Sequence, residues 1–483
     1  MADLWTTIIT INAVLAAVTV FREPRDIAAT WAWILVLIFM PGIGFVLYSF
    51  AGRKLPAKRL FAFQGKDASK IQEKIQKRLQ EAPGLNNAAE LERLPRSARS
   101  LVTLFQRINQ TPLASHNEVQ VMTSGQDFFS RLKRSLKQAK ETINIEFYTF
   151  YSDNLGHEIR DILVEKAKEG VEVHVLYDSL GSAGTTGRFF APLTAEGGHA
   201  APFLKRRFNL INFQLNFRDH RKIVVVDGKV GYVGGFNIGD QYLGRKKKFG
   251  HWRDTHLKLQ GSGVYYLQEH FLLDWNASAL KKPMDVQDDR YFPALPDQVA
   301  GKTDLQIVTS GPDSDDEQIK MGYIRLIQLA KKRCWIQTPY LIPDDSTIDA
   351  LRIAANSGVD VRIMVPCMPD HMFVYRATQY FASQLVKDGI KIYYYQNGFL
   401  HAKTMVVDDQ LASVGSANFD FRSFKLNFEV NAFLYDQSIT EQLAATYEKD
   451  IEQSSEQTVE SFAKQSRWLR FKQVASRLLA PIL

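Results

Sequence analysis

His220-Arg221-Lys222-Ile223-Val224-Val225-Val226-Asp227 and, far along the chain, His401-Ala402-Lys403-Thr404-Met405-Val406-Val407-Asp408 read as two copies of one short strand. Each copy leads into a small-residue step and an asparagine, Gly234-Gly235-Phe236-Asn237 after the first and Gly415-Ser416-Ala417-Asn418 after the second. Histidine to lysine is two residues in both, histidine to aspartate seven, and histidine to asparagine seventeen. Side chains alternate faces along a strand, so His220 and Lys222 project together, as do His401 and Lys403, while the β-branched residues between them bury the strand. Gly234, Gly235, Gly415 and Ser416 are small enough for a ligand to approach the backbone. Asn237 and Asn418 can add side-chain amide donors at the same place.

The likeness extends outward. Gln120-Val121-Met122-Thr123-Ser124-Gly125 is echoed by Gln306-Ile307-Val308-Thr309-Ser310-Gly311. Each opening leads to a helix and then a strand, Ile143 to Phe150 or Cys334 to Thr338. A second helix then ends at Gly170 or Gly358, followed by the strands Val171 to Val175 and Val359 to Ile363. Alternation of strands and amphipathic helices predicts an α/β fold, here an internal duplication. Repeats are expected over 117–280 and 304–455, joined by a proline-bearing linker over 281–303. A helical connector is expected over 53–116, where Ile71, Ile75 and Leu79 recur at helical spacing before Pro83-Gly84.

Two imidazoles and two ammonium groups aimed at one point suit a tetrahedral anionic phosphoryl group. Lys222 and Lys403 would counter the charge that grows on its oxygens. One histidine can attack phosphorus while the other protonates the leaving alcohol and later deprotonates the acceptor. A zinc site is disfavoured, because a protonated lysine is no ligand and metal-spaced His/carboxylate clusters are absent from the sequence. No phosphate-cradling glycine loop appears either, so no cofactor is expected.

These segments resemble the phospholipase D superfamily, whose HxKx4D motif matches at both positions. The resemblance implies a pseudo-twofold unit of two tandem phospholipase D-like repeats, with one site at their interface and no required metal. It implies catalytic sets of His220, Lys222 and Asp227 and of His401, Lys403 and Asp408. Gly235, Ser416, Asn237 and Asn418 would stand in support. It also implies that an acid following each motif, Asp254 in Trp252-Arg253-Asp254-Thr255-His256 and Glu429 in Asn427-Phe428-Glu429, orients the histidine of the other half.

Within that superfamily the chain resembles the bacterial cardiolipin synthases over almost its full length. Arg22-Glu23-Pro24-Arg25-Asp26, Thr30-Trp31-Ala32-Trp33, Asn397-Gly398-Phe399-Leu400, Arg422-Ser423-Phe424 and Asn427 to Asn431 carry the likeness. Arg221, between the first histidine and lysine, reads as a tolerated variable place. The implied reaction joins two phosphatidylglycerol molecules into cardiolipin and glycerol through a phosphohistidine. Competing readings are a hydrolytic phospholipase D, a phosphatidylserine synthase, a nuclease of the superfamily, and a catalytically silent lipid-binding protein. A nuclease needs no membrane spans, so no nucleic acid partner is expected, and a silent protein would lack part of a motif.

The N-terminus supports a membrane setting. Leu4 to Phe21 is an uncharged run of 18 residues, and Ile27 to Ala51 is a second, longer one. Together they predict a transmembrane hairpin over 1–52 in a bacterial cell membrane. Trp31 and Trp33 suit the interface, and Pro41, Gly42 and Gly44 suit a kink. Arg53, Lys54, Lys58 and Arg59 place the catalytic part on the cytoplasmic side. The 483-residue chain carries a formal charge of +8, which fits anionic lipids. Lys205-Arg206-Arg207 and Arg245-Lys246-Lys247-Lys248 are basic clusters on expected loops. Over 456–483 an amphipathic helix is expected, its apolar set being Trp468, Phe471, Ala475, Leu478 and Ile482, either at the interface or packed on the domain. The two cysteines, Cys334 and Cys367, are expected to be free thiols.

Overall fold

The computed structural model describes residues 27–40, 43–44, 48, 64–82, 87–204, 217–296, 301–314 and 316–478. The first half builds a mixed sheet from β1 (Ala114–Ser124), β2 (Thr142–Phe147), β3 (Glu172–Tyr177), β4 (His199–Pro202), β6 (Lys222–Val226), β7 (Val230–Gly234) and β8 (Trp252–Gln260), with the two-residue β5 (Arg218–Asp219) standing outside it. Its strand order is β4-β3-β2-β6-β7-β8-β1, with the first three strands parallel and every later pairing antiparallel.

The second half repeats this with β9 (Thr303–Ser310), β10 (Arg333–Gln337), β12 (Asp360–Pro366), β13 (Lys391–Tyr395), β15 (Thr404–Val407), β16 (Leu411–Gly415) and β18 (Asn427–Tyr435). The order is β13-β12-β10-β15-β16-β18-β9, with the same parallel and antiparallel senses. The remaining strands are β11 (Leu341–Ile342), β14 (Phe399–Leu400), β17 (Phe419–Asp420) and β19 (Ser454–Gln457). The last of these extends the second sheet at β13 and crosses the expected boundary at 455. β1 starts before the expected 117, because Ala114 and Asn117 pair antiparallel with Leu305 and Thr303 of β9 and so join the two sheets.

Two very short strands cross between the halves. β5 pairs in parallel with the start of β18, Arg218 opposite Asn427, and β14 pairs in parallel with the start of β8, Phe399 opposite Trp252. The chain that enters each histidine motif is thus hydrogen-bonded to the strand that carries the other half's acid.

Helices cover the sheets. α1 (Ile27–Phe39) lies near the N-terminus, and α2 (Gln64–Glu81) lies in the expected connector. Ile71, Ile75 and Leu79 of α2 are buried in a core cluster to which both halves contribute, each adding roughly 1.5–3 kcal/mol of apolar burial. α3 (Gly263–Ser278) and α4 (Gln437–Glu452) follow β8 and β18 as matching elements of the repeat. Between them α5, the helix Met372–Leu385, follows β12. α6, the last helix, spans Arg467–Leu478.

Among the described residues no helix is long and apolar enough to cross a membrane. The first expected span, the kink at Pro41-Gly42, Pro83-Gly84 and the cluster Lys205-Arg206-Arg207 lie outside the described residues. So does part of the second span, of which α1 is the described helix. Trp31, Leu35 and Phe39 of α1 are exposed, and Trp33 meets Tyr48 edge-on. Cys334 and Cys367 are free. In α6 the arrangement is inverted for a helix packed on a domain. Gln473 and Ser476 are buried, whereas Trp468, Phe471 and Leu478 are 65%, 61% and 72% exposed. Ile482 lies outside the described residues.

Candidate active site

The exchanged strands bring both motifs to one place. The His220 N–H donates to the carbonyl oxygen of Phe428 at 2.9 Å, and the His401 N–H to that of Arg253 at 2.7 Å. Each histidine therefore sits two or three residues before its strand, held by main chain of the opposite half. Both rings line a single cavity of about 600 Å3, together with Asn237, Asn418, Tyr148, Trp252, Arg218 and Arg422.

The acids lie where the resemblance implies. His220 Nδ1 is 2.9 Å from Glu429 Oε2 and 3.0 Å from Oε1. His401 Nδ1 is 2.7 Å from Asp254 Oδ2. Burial would raise the Glu429 carboxyl, but His220, Lys222 and Ser416 outweigh it and hold the group below the usual range. Asp254 is likewise held low against burial by Lys403 and His401. A carboxylate accepts only, so each Nδ1 carries the proton and Nε2 is the free nitrogen. Burial pushes both imidazoles down to about 4, so they are neutral near pH 7.

The lysines stand behind the histidines rather than in the open cavity. Lys222 Nζ donates to the His220 carbonyl at 2.6 Å and faces the Tyr148 ring. Lys403 Nζ donates to the His401 carbonyl and lies 2.9 Å from His401 Nδ1. Burial lowers Lys222 to about 7 and Lys403 to about 8, and the Lys403 ammonium also acts against the charge on Lys222.

The small residues do different work in the two halves. A Cβ on Gly235 would fall 2.0 Å from Asp254 Oδ1, so any side chain there would displace the acid. Ser416, its counterpart, donates through Oγ to Glu429 Oε2. Ser423 Oγ and Asn427 Nδ2 donate to Oε1 of the same carboxylate at 2.8 and 3.2 Å. Asn237 accepts from the Thr149 N–H at 3.1 Å and donates to Tyr242, so it braces the cavity wall. The Asn418 N–H donates to Ser423 Oγ at 3.1 Å, and its own Oδ1 is buried without a hydrogen bond.

Asp227 and Asp408 are not brought to the histidines. Each sits past the far end of its strand in a left-handed turn, φ 53° and 49°. Asp227 accepts from the N–H groups of Lys140, Glu141 and Thr142 at 2.8–3.1 Å. Asp408 accepts from those of Lys331, Lys332 and Arg333 at 2.8–3.2 Å. Both carboxylates thus cap the start of β2 and β10, at the end of the motif strand away from the histidine. Arg221 is also more than a variable place. It is buried, paired with Asp274 of α3, and its Nε donates to the Glu429 carbonyl oxygen at 3.3 Å. Arg253, next to Asp254 in the same half, plays a comparable part, pairing across to Asp450 of α4 at 2.9 Å and donating to the Asp254 carbonyl at 2.6 Å. The arginine signal in the sequence was its position beside each motif residue; the aspartate partners lie too far along the chain to be matched by spacing. Among the described residues no group of three or more His, Cys, Asp or Glu side chains could hold a metal ion.

Comparison with known proteins agrees with this geometry. The family described as cardiolipin synthase, PLD-like domain, matches residues 132–251 and 323–451, and the phospholipase D-nuclease N-terminal family matches 12–53. A cardiolipin synthase of Listeria innocua is 46% identical, the match covering 100% of this chain and 99% of that protein. The major cardiolipin synthase of Bacillus subtilis is 46% identical over 98% of this chain and 97% of its own length. A solved phosphatidylserine synthase of Haemophilus influenzae shares the fold with a TM-score of 0.61 at 16% identity, over 80% of this chain and 100% of that one. With tandem PLD-like domains and full-length identity of this order, the chain belongs to the bacterial cardiolipin synthase family of the phospholipase D superfamily.

Proposed function

We propose that the protein is a phosphatidyltransferase that joins two phosphatidylglycerol molecules into cardiolipin and glycerol. One observation carries this reading: two histidines, each with Nδ1 on an acid of the opposite half, turn their free nitrogens toward one cavity. It is supported by the names of the full-length relatives. Nε2 of one histidine attacks phosphorus and forms a phosphohistidine as glycerol leaves with a proton from the second. That second imidazole is neutral before substrate binds, and the negative phosphodiester raises its proton affinity. Lys222 and Lys403, one step behind, counter charge on the phosphoryl oxygens. A lipid hydroxyl then gives its proton to the second histidine and attacks phosphorus, releasing the first.

The halves 117–280 and 304–455, with 281–303 between them, are supported as units by the repeated strand order. We place the protein at the cytoplasmic face of a bacterial membrane, anchored by the hairpin over 1–52, with α6 lying on anionic lipid. The outward Trp468, Phe471 and Leu478 and the absence of acidic residues within α6 favour that placement. No cofactor is proposed. The test is to supply the purified full chain with phosphatidylglycerol in detergent micelles and follow products by mass spectrometry. Cardiolipin with glycerol is expected; phosphatidic acid alone would replace this reading by a hydrolase.

A further inference from the structure

The two histidine sites are alike, but their surroundings are not. In the register that pairs His220 with His401 and Asn237 with Asn418, Arg218 corresponds to Phe399 and Arg422 to Gln241. In the register that pairs Asp254 with Glu429, Trp252 corresponds to Asn427. The His401 side is therefore aromatic, with the Trp252 ring 5.2 Å from His401 and 4.9 Å from Phe399. The His220 side carries Arg218, Arg422, Asn427 and Tyr148, all lining the cavity, with the Tyr148 ring 5.0 Å from His220.

Both guanidiniums belong to a built wall. Arg218 is paired with the buried Asp178. That carboxylate also takes the N–H groups of Leu180 and Gly181 at 2.9 and 2.8 Å and of Asp219 at 3.2 Å, so it serves as a fixed anchor for the arginine. Burial holds Arg422 below the usual arginine range against the opposing influence of Tyr148 and Asp420, and Arg218 adds like-charge repulsion. Two cations sharing one wall favour an anion between them. Lys222 and Lys403 are committed to the histidine carbonyls at the reacting centre. A transfer between two phosphodiester lipids needs a place for a second phosphate, and among the described residues the broken symmetry supplies one on the His220 side.

We propose that Arg218 and Arg422 hold the non-reacting phosphate of the acceptor lipid, so that its free hydroxyl reaches the phosphohistidine. This rests on the transferase reading above. In the step served, the acceptor oxygen–phosphorus bond forms, the phosphorus–Nε2 bond breaks, and the hydroxyl proton passes to the other histidine. Planar guanidiniums suit this because they bind phosphate oxygens in pairs.

The experiment uses the full chain in phosphatidylglycerol micelles with two acceptors that share the same donor step. Cardiolipin formation reports an acceptor with a phosphate, and exchange of labelled glycerol into phosphatidylglycerol reports one without. In Arg422→Gln and in Arg218→Gln, cardiolipin formation should fall at least about tenfold relative to glycerol exchange. Arg422→Lys should recover part of that ratio. Equal loss of both activities would overturn the proposal, since the arginines would then serve the donor or the fold. No change in the ratio would overturn it as well. Should the wild type exchange glycerol but form no cardiolipin, the reading as a cardiolipin-forming transferase itself fails. The subsite is then judged by glycerol 3-phosphate: preference for it over glycerol, lost in Arg422→Gln, upholds the subsite, and no preference removes it.

Discussion

Arg221 donates from Nε to the main-chain carbonyl of Glu429, 3.3 Å away, across the boundary between the two halves. The same guanidinium is paired with Asp274 and lies over the Phe428 ring. It stands among buried acids. Burial, then Asp219 and Asp274, pushes Glu146 well above the usual range, and burial with Asp274 pushes Asp219 up to about 8. Arg221→Ala removes a buried cation from among them, which should cost about 3–5 kcal/mol of stability. Chemical denaturation would measure it. Asp274→Ala in the same background should cost less than the two single changes summed.

Replacing His220 or His401 by alanine should abolish cardiolipin formation without loss of the fold. Because the two act as one unit, the double variant should be scarcely worse than either single one. Turnover assays paired with circular dichroism check this, and substantial activity in either single variant would contradict a shared site.

The pH profile should fall on the alkaline side. Lys222, near 7, and Lys403, near 8, lose their positive charge as pH rises through those values, so kcat/KM of the free enzyme should decline there. Stability follows a different window. The folded histidines, near 4, lie below their ordinary 6.5, so the unfolded chain binds protons that the folded one refuses as pH falls from 6.5 toward 4. Stability should therefore drop over that interval, as thermal melting at several pH values would show. A melting temperature that rises on acidification would refute the buried neutral imidazoles.

Asp227→Ala and Asp408→Ala should each lower stability by roughly 1–3 kcal/mol, because several backbone N–H groups lose a shared acceptor. Asparagine should restore much of this, since it accepts hydrogen bonds and tolerates the left-handed turn. The KM for lipid should stay close to that of the wild type. A fall in kcat far beyond the loss of folded protein would return these aspartates to the chemistry.

Trp468→Ala with Phe471→Ala should weaken binding of the full chain to anionic vesicles and leave turnover in micelles near the wild-type value. Vesicle flotation and micelle assays separate the two. Equal binding by both proteins would count against α6 as a lipid contact.

Much of the fold was legible because the duplication is written twice. Matched openings, matched motif spacings and the glycines at 170 and 358 placed successive strands and helices of both halves along the chain to within a few residues. The histidine–acid pairing came from family resemblance, since nothing in the spacing ties Glu429 to His220. Long-range partners were the blind spot. Asp274 gives no local sign that it will meet Arg221, and the backbone cages of Asp227 and Asp408 form only when the preceding helix–strand turn folds over them. The inverted face of α6 was equally hidden: periodicity finds an apolar stripe but not the side on which the rest of the protein lies.

The exchange of β5 and β14 restricts how the enzyme can move. Each histidine's own N–H is bonded to the opposite half, and each entering strand is paired there over two residues. Parting the halves like a clamshell would strip the hydrogen bonds that set both histidines at once. Lipids must therefore enter and leave past side chains at the rim, such as the exposed Met372 and Phe373 of α5, while the two sheets turn over substrate as a single stiff frame.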